Sequence, residues 1–282
     1  MPISTTAALM AAAARAERAV AAFNVITLEH AEGIVAGAGS AGQPVILQVS
    51  QNAVKFHGGA VEPLAAALRE IAAAASVPVA LHLDHVEDPL LIRRGIAARF
   101  SSVMIDAGRL PYSENVAETA REAKWLRAND VFAEAELGYV GGKDSQVSNA
   151  HAPGVRTDPR QAAEFVGATG VDALAVAVGS SHAMTTRTAS LDFALIERLR
   201  DAVPVPLVLH GSSGVSDDDI RSAVRAGIRK VNIGTALNIA FTHAVRDHLA
   251  THDSVDPRRY LAPARQALAE FVRTALEVVA GG

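Results

Sequence analysis

Cysteine is absent from this 282-residue chain. That excludes disulfides and thiolate metal ligands, leaving His, Asp and Glu as the side chains suited to a divalent metal. Lysine is scarce, with Lys55, Lys124, Lys143 and Lys230 the whole set. The basic residues form no block and the formal charge is only −4, which argues against a nucleic-acid partner. No apolar run approaches the roughly 20 residues of a membrane span, so no membrane partner is expected. The Ala-rich start, residues 1–20, imitates a signal peptide but lacks a basic leading segment, and Arg15, Glu17 and Arg18 interrupt it. It reads as a short amphipathic helix capped near Ser4 or Thr5, in a soluble, cytoplasmic protein. Aromatic residues make up only 4% of a chain that is half apolar, with Ala and Val dominant. That suits many short helices covering buried strands, in one domain spanning residues 1–282.

Short β-rich runs alternate with helical stretches, the pattern of βα units around a parallel sheet. Eight strands are expected, at 21–26, 44–49, 77–83, 101–105, 131–137, 171–178, 206–210 and 230–233. Asp158-Pro159 and Asp256-Pro257 each set an N-cap before a proline suited to a first helical turn. Ser216 precedes three aspartates, which favours a helix start there. A last helix is expected over 264–279.

The strand ends are the informative feature. In order they carry Asn24, Ser50, Asp84 with His85, Asp106, Glu136, His182 just past its strand, His210 and Asn232. Buried strands do not tolerate such groups unless they pair, so a ring of them at carboxyl ends reads as a site. That is the face where α/β barrels place their chemistry, whereas an open sheet would concentrate polar ends at one switch point. The expected fold is therefore a (β/α)₈ TIM barrel with an N-terminal helix and an extra C-terminal one.

A closed barrel can converge His85, His182 and His210, and three imidazoles with an open position suit a catalytic zinc ion. Each His taken alone could simply cap a strand; three beside carboxylates favour metal. His82 shares a strand face with Asp84 and reads as a packed core residue. Glu134 and Glu136 share a face of strand five, and two close carboxylates need a cation: a metal, a buried basic partner, or an ion pair across the barrel. The polar stretch from Gly141 to about Arg156 is long enough to be a functional loop. Small and hydroxylic residues in His210-Gly211-Ser212-Ser213-Gly214 and Asn232-Ile233-Gly234-Thr235 fit a phosphate cradle after strands seven and eight.

The stretches Ala22-Phe23-Asn24-Val25, His82-Leu83-Asp84-His85, Glu134-Ala135-Glu136-Leu137-Gly138, His210-Gly211-Ser212-Ser213-Gly214, Lys230-Val231-Asn232-Ile233 and Asp256-Pro257-Arg258 resemble the class II, metal-dependent ketose-bisphosphate aldolases. The resemblance implies reversible cleavage of a phosphorylated ketose, fructose 1,6-bisphosphate first, to dihydroxyacetone phosphate and glyceraldehyde 3-phosphate. It implies that His85, His182 and His210 hold Zn²⁺, with Glu136 an alternative carboxylate and Asp84 the acid/base. Gly211, Ser213, Asn232 and Thr235 would hold one phosphate, within a substrate site that Asn24 and Ser50 also line. Arg258 would reach the other phosphate, in a neighbouring subunit of a homodimer or homotetramer. A monovalent cation, Na⁺ or K⁺, is a further expectation of the family.

Four positions depart from the family pattern. Val86 and Ala183 stand where glycines are usual, Asp144 where a loop glutamate takes the proton from the nascent ketone, and Thr186 where a lysine contacts phosphate. Arg187, adjacent to the last of these, offers a substitute cation. Because the metal is the electron sink, no Schiff-base lysine is needed, consistent with the scarcity of lysine. Tagatose 1,6-bisphosphate or another ketose phosphate is an alternative substrate. A metal-dependent barrel hydrolase would begin with a His-x-His strand and end with an Asp, but strands one and eight here end in Asn24 and Asn232. A non-catalytic sugar-phosphate sensor would fit the altered positions 144, 183 and 186, yet would not require Asp84 beside three histidines.

Overall fold

The computed structural model describes residues 3–138, 140 and 156–281. Eight strands, β1 (Val20–Asn24), β2 (Val45–Ser50), β3 (Val79–Val86), β4 (Ser102–Ile105), β5 (Phe132–Leu137), β6 (Ala173–Val176), β7 (Leu207–Leu209) and β8 (Ile228–Ile233), pair in chain order into a closed parallel barrel. The helices are α1 (Thr6–Arg15), α2 (Leu28–Ala41), α3 (Gln51–Phe56), α4 (Glu62–Ala73), α5 (Pro89–Ala97), α6 (Tyr112–Arg127), α7 (Pro159–Thr169), α8 (Phe193–Ala202), α9 (Asp217–Ala226), α10 (Thr235–Thr251) and α11 (Pro257–Ala280). The (β/α)₈ barrel expected from the alternating pattern is the architecture found, with α1 before it and α11 after. Among the described residues, no helix is long and apolar enough to cross a membrane.

Period-two patterning divides each strand between two environments. Outward residues such as Ala21, Phe23, Val45, Leu47, Val79, Leu81 and Leu83 join the helices in the main core. Inward residues Val20, Ala22, Ile46 and Ala80 meet Leu9 and Met10 of α1, which plugs the amino-terminal end of the barrel. Above that plug the interior turns polar: Gln48, His82, Ser102, Glu134 and Lys230 are all buried. Such groups need partners, and their pairing builds the floor of the site described below.

Helix starts follow the caps read from sequence. Thr5 accepts from the Ala8 amide, Asp158 from Gln161, Ser216 from Asp219 and Asp256 from Arg258. Strand boundaries shift by one or two residues from expectation, and two boundaries differ by more. The third strand continues past residue 83 to Val86 through a register shift against β4. The last helix begins at Pro257 rather than 264 and runs through Pro263. Pro263 falls within the second turn, where the helix loses one backbone bond but is carried by packing of α11 on α2 and α10.

That packing depends on Gly37. A Cβ there would lie 2.8 Å from Val272 Cβ and closer still to the Ala269 carbonyl. Gly37→Ala gains about 1 kcal/mol in helix propensity but overpacks the contact at a cost of about 1–3 kcal/mol. Backbone yields poorly, so we expect a net loss, read as a lower urea midpoint. An unchanged midpoint would show that α11 can slide.

Candidate active site

Neighbouring residues on a regular strand point to opposite faces, yet Asp84 and His85 both line the cavity at the carboxyl end of the barrel. The reason is local. The β3–β4 register breaks between Leu83 and Val86, and His85 has φ +50°. This bulge inserts one residue and re-aims its side chain into the mouth. Val86 then returns to regular pairing opposite Ile105 and is buried.

Around His85 gather Glu136 from β5, His182 from the loop after β6 and His210 just past β7. Their ligating atoms all lie within 4.8 Å of one another. The ring centroids of His85 sit 5.2 Å from His182 and 5.1 Å from His210. Each of two rings is held from behind by a carboxylate. Asp106 Oδ2 lies 2.8 Å from His85 Nδ1, and Glu134 Oε1 lies 3.1 Å from His210 Nε2. An imidazole anchored in this way presents its other nitrogen in a fixed direction, as metal-ligating histidines do. Lys230 Nζ in turn donates to Glu134 Oε2 at 2.7 Å.

The donor set fits a divalent metal. His182 Nε2, His210 Nδ1 and Glu136 Oε2 are buried without a hydrogen-bond partner in the protein. His210 Nδ1 and Glu136 Oε2 approach to 2.8 Å without hydrogen-bond alignment, as two donors directed at a shared point would. Burial opposes charge on His210, yet Glu134 and Glu136 raise its pKa to about 9, so this corner attracts a cation. Burial lowers the pKa of His182, which keeps it in the neutral form a ligand requires. Burial pushes the Glu136 carboxyl up, but His182 and His210 hold it well below the ordinary range. Asp84 is likewise pushed up by burial, and the imidazoles of His85 and His82 overcome that to keep it ionised.

The cavity holds about 320 Å³. Besides Asp84, His85 and His182 it is lined by Asn24, Gln48, Ser50, Gly211, Ser213, Asn232 and Thr235. Gln48 Nε2 donates to Asn24 Oδ1 at 2.7 Å. Ser50 also caps α3, accepting from the Ala53 amide. Gly211 has φ +67°, and a Cβ there would lie 2.6 Å from the Ser181 carbonyl, so only glycine fits. Ser212 Oγ donates to the Asn232 carbonyl at 2.5 Å, tying the loop after β7 to the end of β8. Ser213 Oγ accepts from the Ala236 amide at 3.1 Å. Since α10 starts at Thr235, a helix N-terminus opens on the same cavity, a favourable place for an anion.

Other sequence-predicted residues lie elsewhere. Arg258 is exposed at the start of α11 and pairs with Asp256 at 2.7 Å. Arg187 pairs with Asp217 at 2.6 Å and does not line the cavity, and Thr186 is exposed. Asp144 lies outside the described residues. Ala183 borders the cavity with φ +59°, a conformation that suits the glycine usual at that position. Sequence alone assigns no partner to Asp106 and no role to Lys230 or Gln48. Period two was the available signal, since Lys230 precedes Asn232 by two and Gln48 precedes Ser50 by two.

A profile of the family described as fructose-bisphosphate aldolase class II matches residues 4–281. The chain belongs to the class II fructose-bisphosphate aldolase family. It is a carbon–carbon lyase. A solved member, the YdjI aldolase from Escherichia coli K12, is 33% identical over 98% of this chain and 97% of its own, with a TM-score of 0.85. The fructose-bisphosphate aldolase from Campylobacter jejuni shares the fold at 24% identity and a TM-score of 0.82, covering 98% of this chain and 95% of its own. The stretches 82–85 and 134–137 lie at the carboxyl halves of β3 and β5, within the residues that match.

Proposed function

We propose that the chain is a zinc-dependent aldolase that reversibly cleaves a ketose 1,6-bisphosphate, fructose 1,6-bisphosphate first, into dihydroxyacetone phosphate and glyceraldehyde 3-phosphate. The observation that carries this reading is the convergence of three imidazoles and Glu136 within 4.8 Å, beside an ionised, buried Asp84. His85, His182 and His210 would hold the metal, with Glu136 the alternative carboxylate. When bound, the ion supplies Lewis-acid stabilisation of the negative charge that builds on the ketone oxygen as the C3–C4 bond breaks. Asp84 takes the proton of the C4 hydroxyl in cleavage and returns it in condensation. Gly211, Ser213, Asn232 and Thr235 hold the C1 phosphate at the start of α10, and Asn24 and Ser50 border the sugar. Asp144, by its place in the sequence, delivers a proton to the carbon freed by cleavage.

One observation favours a second reading of the substrate. Among the described residues lining the cavity there is no Lys or Arg. Unless Arg258 of a neighbouring subunit reaches it, a second phosphate would lack a charge-assisted partner there, which favours another ketose 1-phosphate with a different tail. Side-by-side turnover of fructose 1,6-bisphosphate, tagatose 1,6-bisphosphate and ketose 1-phosphates decides between them.

Chelation is expected to reduce triose-phosphate release to background, and about one zinc per chain should restore it. Full activity in protein shown metal-free by elemental analysis would remove the proposal.

A further inference from the structure

A chain of buried polar groups leads from Asp84 through the barrel to its opposite end. His82 Nε2 lies 3.8 Å from Asp84 Oδ1. His82 Nδ1 lies 2.7 Å from Ser102 Oγ, and Ser102 Oγ lies 2.6 Å from Thr6 Oγ1. His82, Ser102 and Thr6 are all fully buried. The strand register sets His82 directly opposite Ser102, so the two share the inner face. Thr6 is the first residue of α1, whose Leu9 and Met10 plug the barrel. It is anchored there from two sides. The Thr6 amide donates to Ser101 Oγ at 3.1 Å, and the preceding Ser4 amide donates to the Val79 carbonyl at 2.8 Å.

The Asp84 carboxylate orders this chain. Ser101 spends its hydroxyl proton on the Leu81 carbonyl at 3.0 Å. Thr6 Oγ1 lies 3.2 Å from Ser101 Oγ and 2.6 Å from Ser102 Oγ, and of the two orders open to it the charge of Asp84 selects the one in which Thr6 donates to Ser102. Ser102, having accepted, donates to His82 Nδ1, which leaves the His82 proton on Nε2, facing Asp84. The reverse order would set a bare imidazole lone pair against a buried carboxylate oxygen, which electrostatics disfavours. At 3.8 Å the Nε2–H contact is a directed charge–dipole attraction. It becomes a hydrogen bond when Asp84 moves by about 1 Å.

We propose that Thr6 is a positioning residue for Asp84, acting through Ser102 and His82 from the helix that closes the far end of the barrel. This rests on the reading of Asp84 as the acid/base. Its consequence is that α1 takes part in turnover without touching substrate: its first hydroxyl supports the His82 tautomer that steadies the carboxylate.

The test compares Thr6→Val, which keeps the shape and deletes the hydroxyl, with Thr6→Ser, which keeps the hydroxyl. Thr6→Val should lower kcat about tenfold, the lower range for a lost supporting hydrogen bond, with KM and zinc content unchanged. Thr6→Ser should stay within about twofold of the parent on the same grounds. In an Asp84→Asn background the Thr6→Val effect should vanish, because the group it positions no longer accepts a proton. If Thr6→Val does not fold, Ser102→Ala cuts the same chain one bond nearer to His82 and should show the same kcat loss. Equal losses in Thr6→Val and Thr6→Ser, zinc lost in step with activity, or an undiminished effect in the Asp84→Asn background would each overturn the inference. Parent-like turnover in Thr6→Val alongside a crippled Asp84→Asn would overturn it while leaving the aldolase mechanism standing. Parent-like turnover in Asp84→Asn would instead remove the mechanism on which it rests.

Discussion

Asp84→Asn should lower turnover about 10²–10⁴-fold, the usual range for a lost general acid/base, while the variant folds and retains its metal. The substitution preserves volume and shape at a buried position, so neither a cavity nor a clash follows. The asparagine carbonyl can still accept from His82, but it cannot take the C4 hydroxyl proton. Burial alone would favour protonation of Asp84, and the neighbouring His85 and His82 reverse that. In the proposed mechanism it is thus held as the base the cleavage direction needs. Removing its negative charge also leaves the metal-site histidines less compensated, so metal content is the discriminating measurement. Elemental analysis should show zinc unchanged and KM should move little. Zinc falling in step with activity would make Asp84 a support of the metal rather than the proton carrier.

The barrel was legible because its two faces obey different rules. Outward positions such as Phe23, Leu47, Leu81 and Leu83 are apolar and recur every second residue, while helix caps at Thr5, Asp158, Ser216 and Asp256 punctuate the units between. The polar strand ends marked the site for the same reason. Buried polar groups need partners, and only a closed ring brings so many together. What stayed hidden depends on register between strands. Local periodicity puts His82 and Asp84 on one face, but it cannot show that Ser102 pairs with His82 across β3 and β4. Nor can it show that the first hydroxyl of α1 reaches Ser102 from below. The bulge at His85 was hidden too, since a period-two reading carries His85 away from the site it lines. Arg187 illustrates the opposite limit. Next to Thr186 in sequence, it reads as a substitute cation, yet Asp217 engages it instead.

Lys230→Met is the substitution expected to cost most in stability, about 3–5 kcal/mol, because it strands one partner of a buried ion pair. Lys230 and Glu134 are both fully buried, and Nζ lies 2.7 Å from Oε2. Methionine fills similar volume, so the loss is electrostatic rather than steric. Burial pushes the Glu134 carboxyl up, but Lys230 and His210 bring it down to about 2, against an ordinary 4.5. A depressed carboxylate stabilises the fold fully above its unfolded pKa and loses that contribution as pH falls through the folded value. The parent should therefore lose stability from about pH 4.5 down towards 2, and in Lys230→Met that contribution should be largely missing already at neutral pH. Adding Glu134→Gln to Lys230→Met should recover much of the loss, since no carboxylate then remains buried without its cation. A loss below about 1 kcal/mol in the single variant, the range of an exposed ion pair, would show that water or another group satisfies Glu134. The effect should extend to the site, because Glu134 is also what holds His210 Nε2. With the carboxylate drawn wholly towards His210, the imidazole would retain its proton more firmly. Zinc affinity should then fall about 10–100-fold, the range for a disrupted outer-shell partner, although Lys230 itself touches neither metal nor substrate.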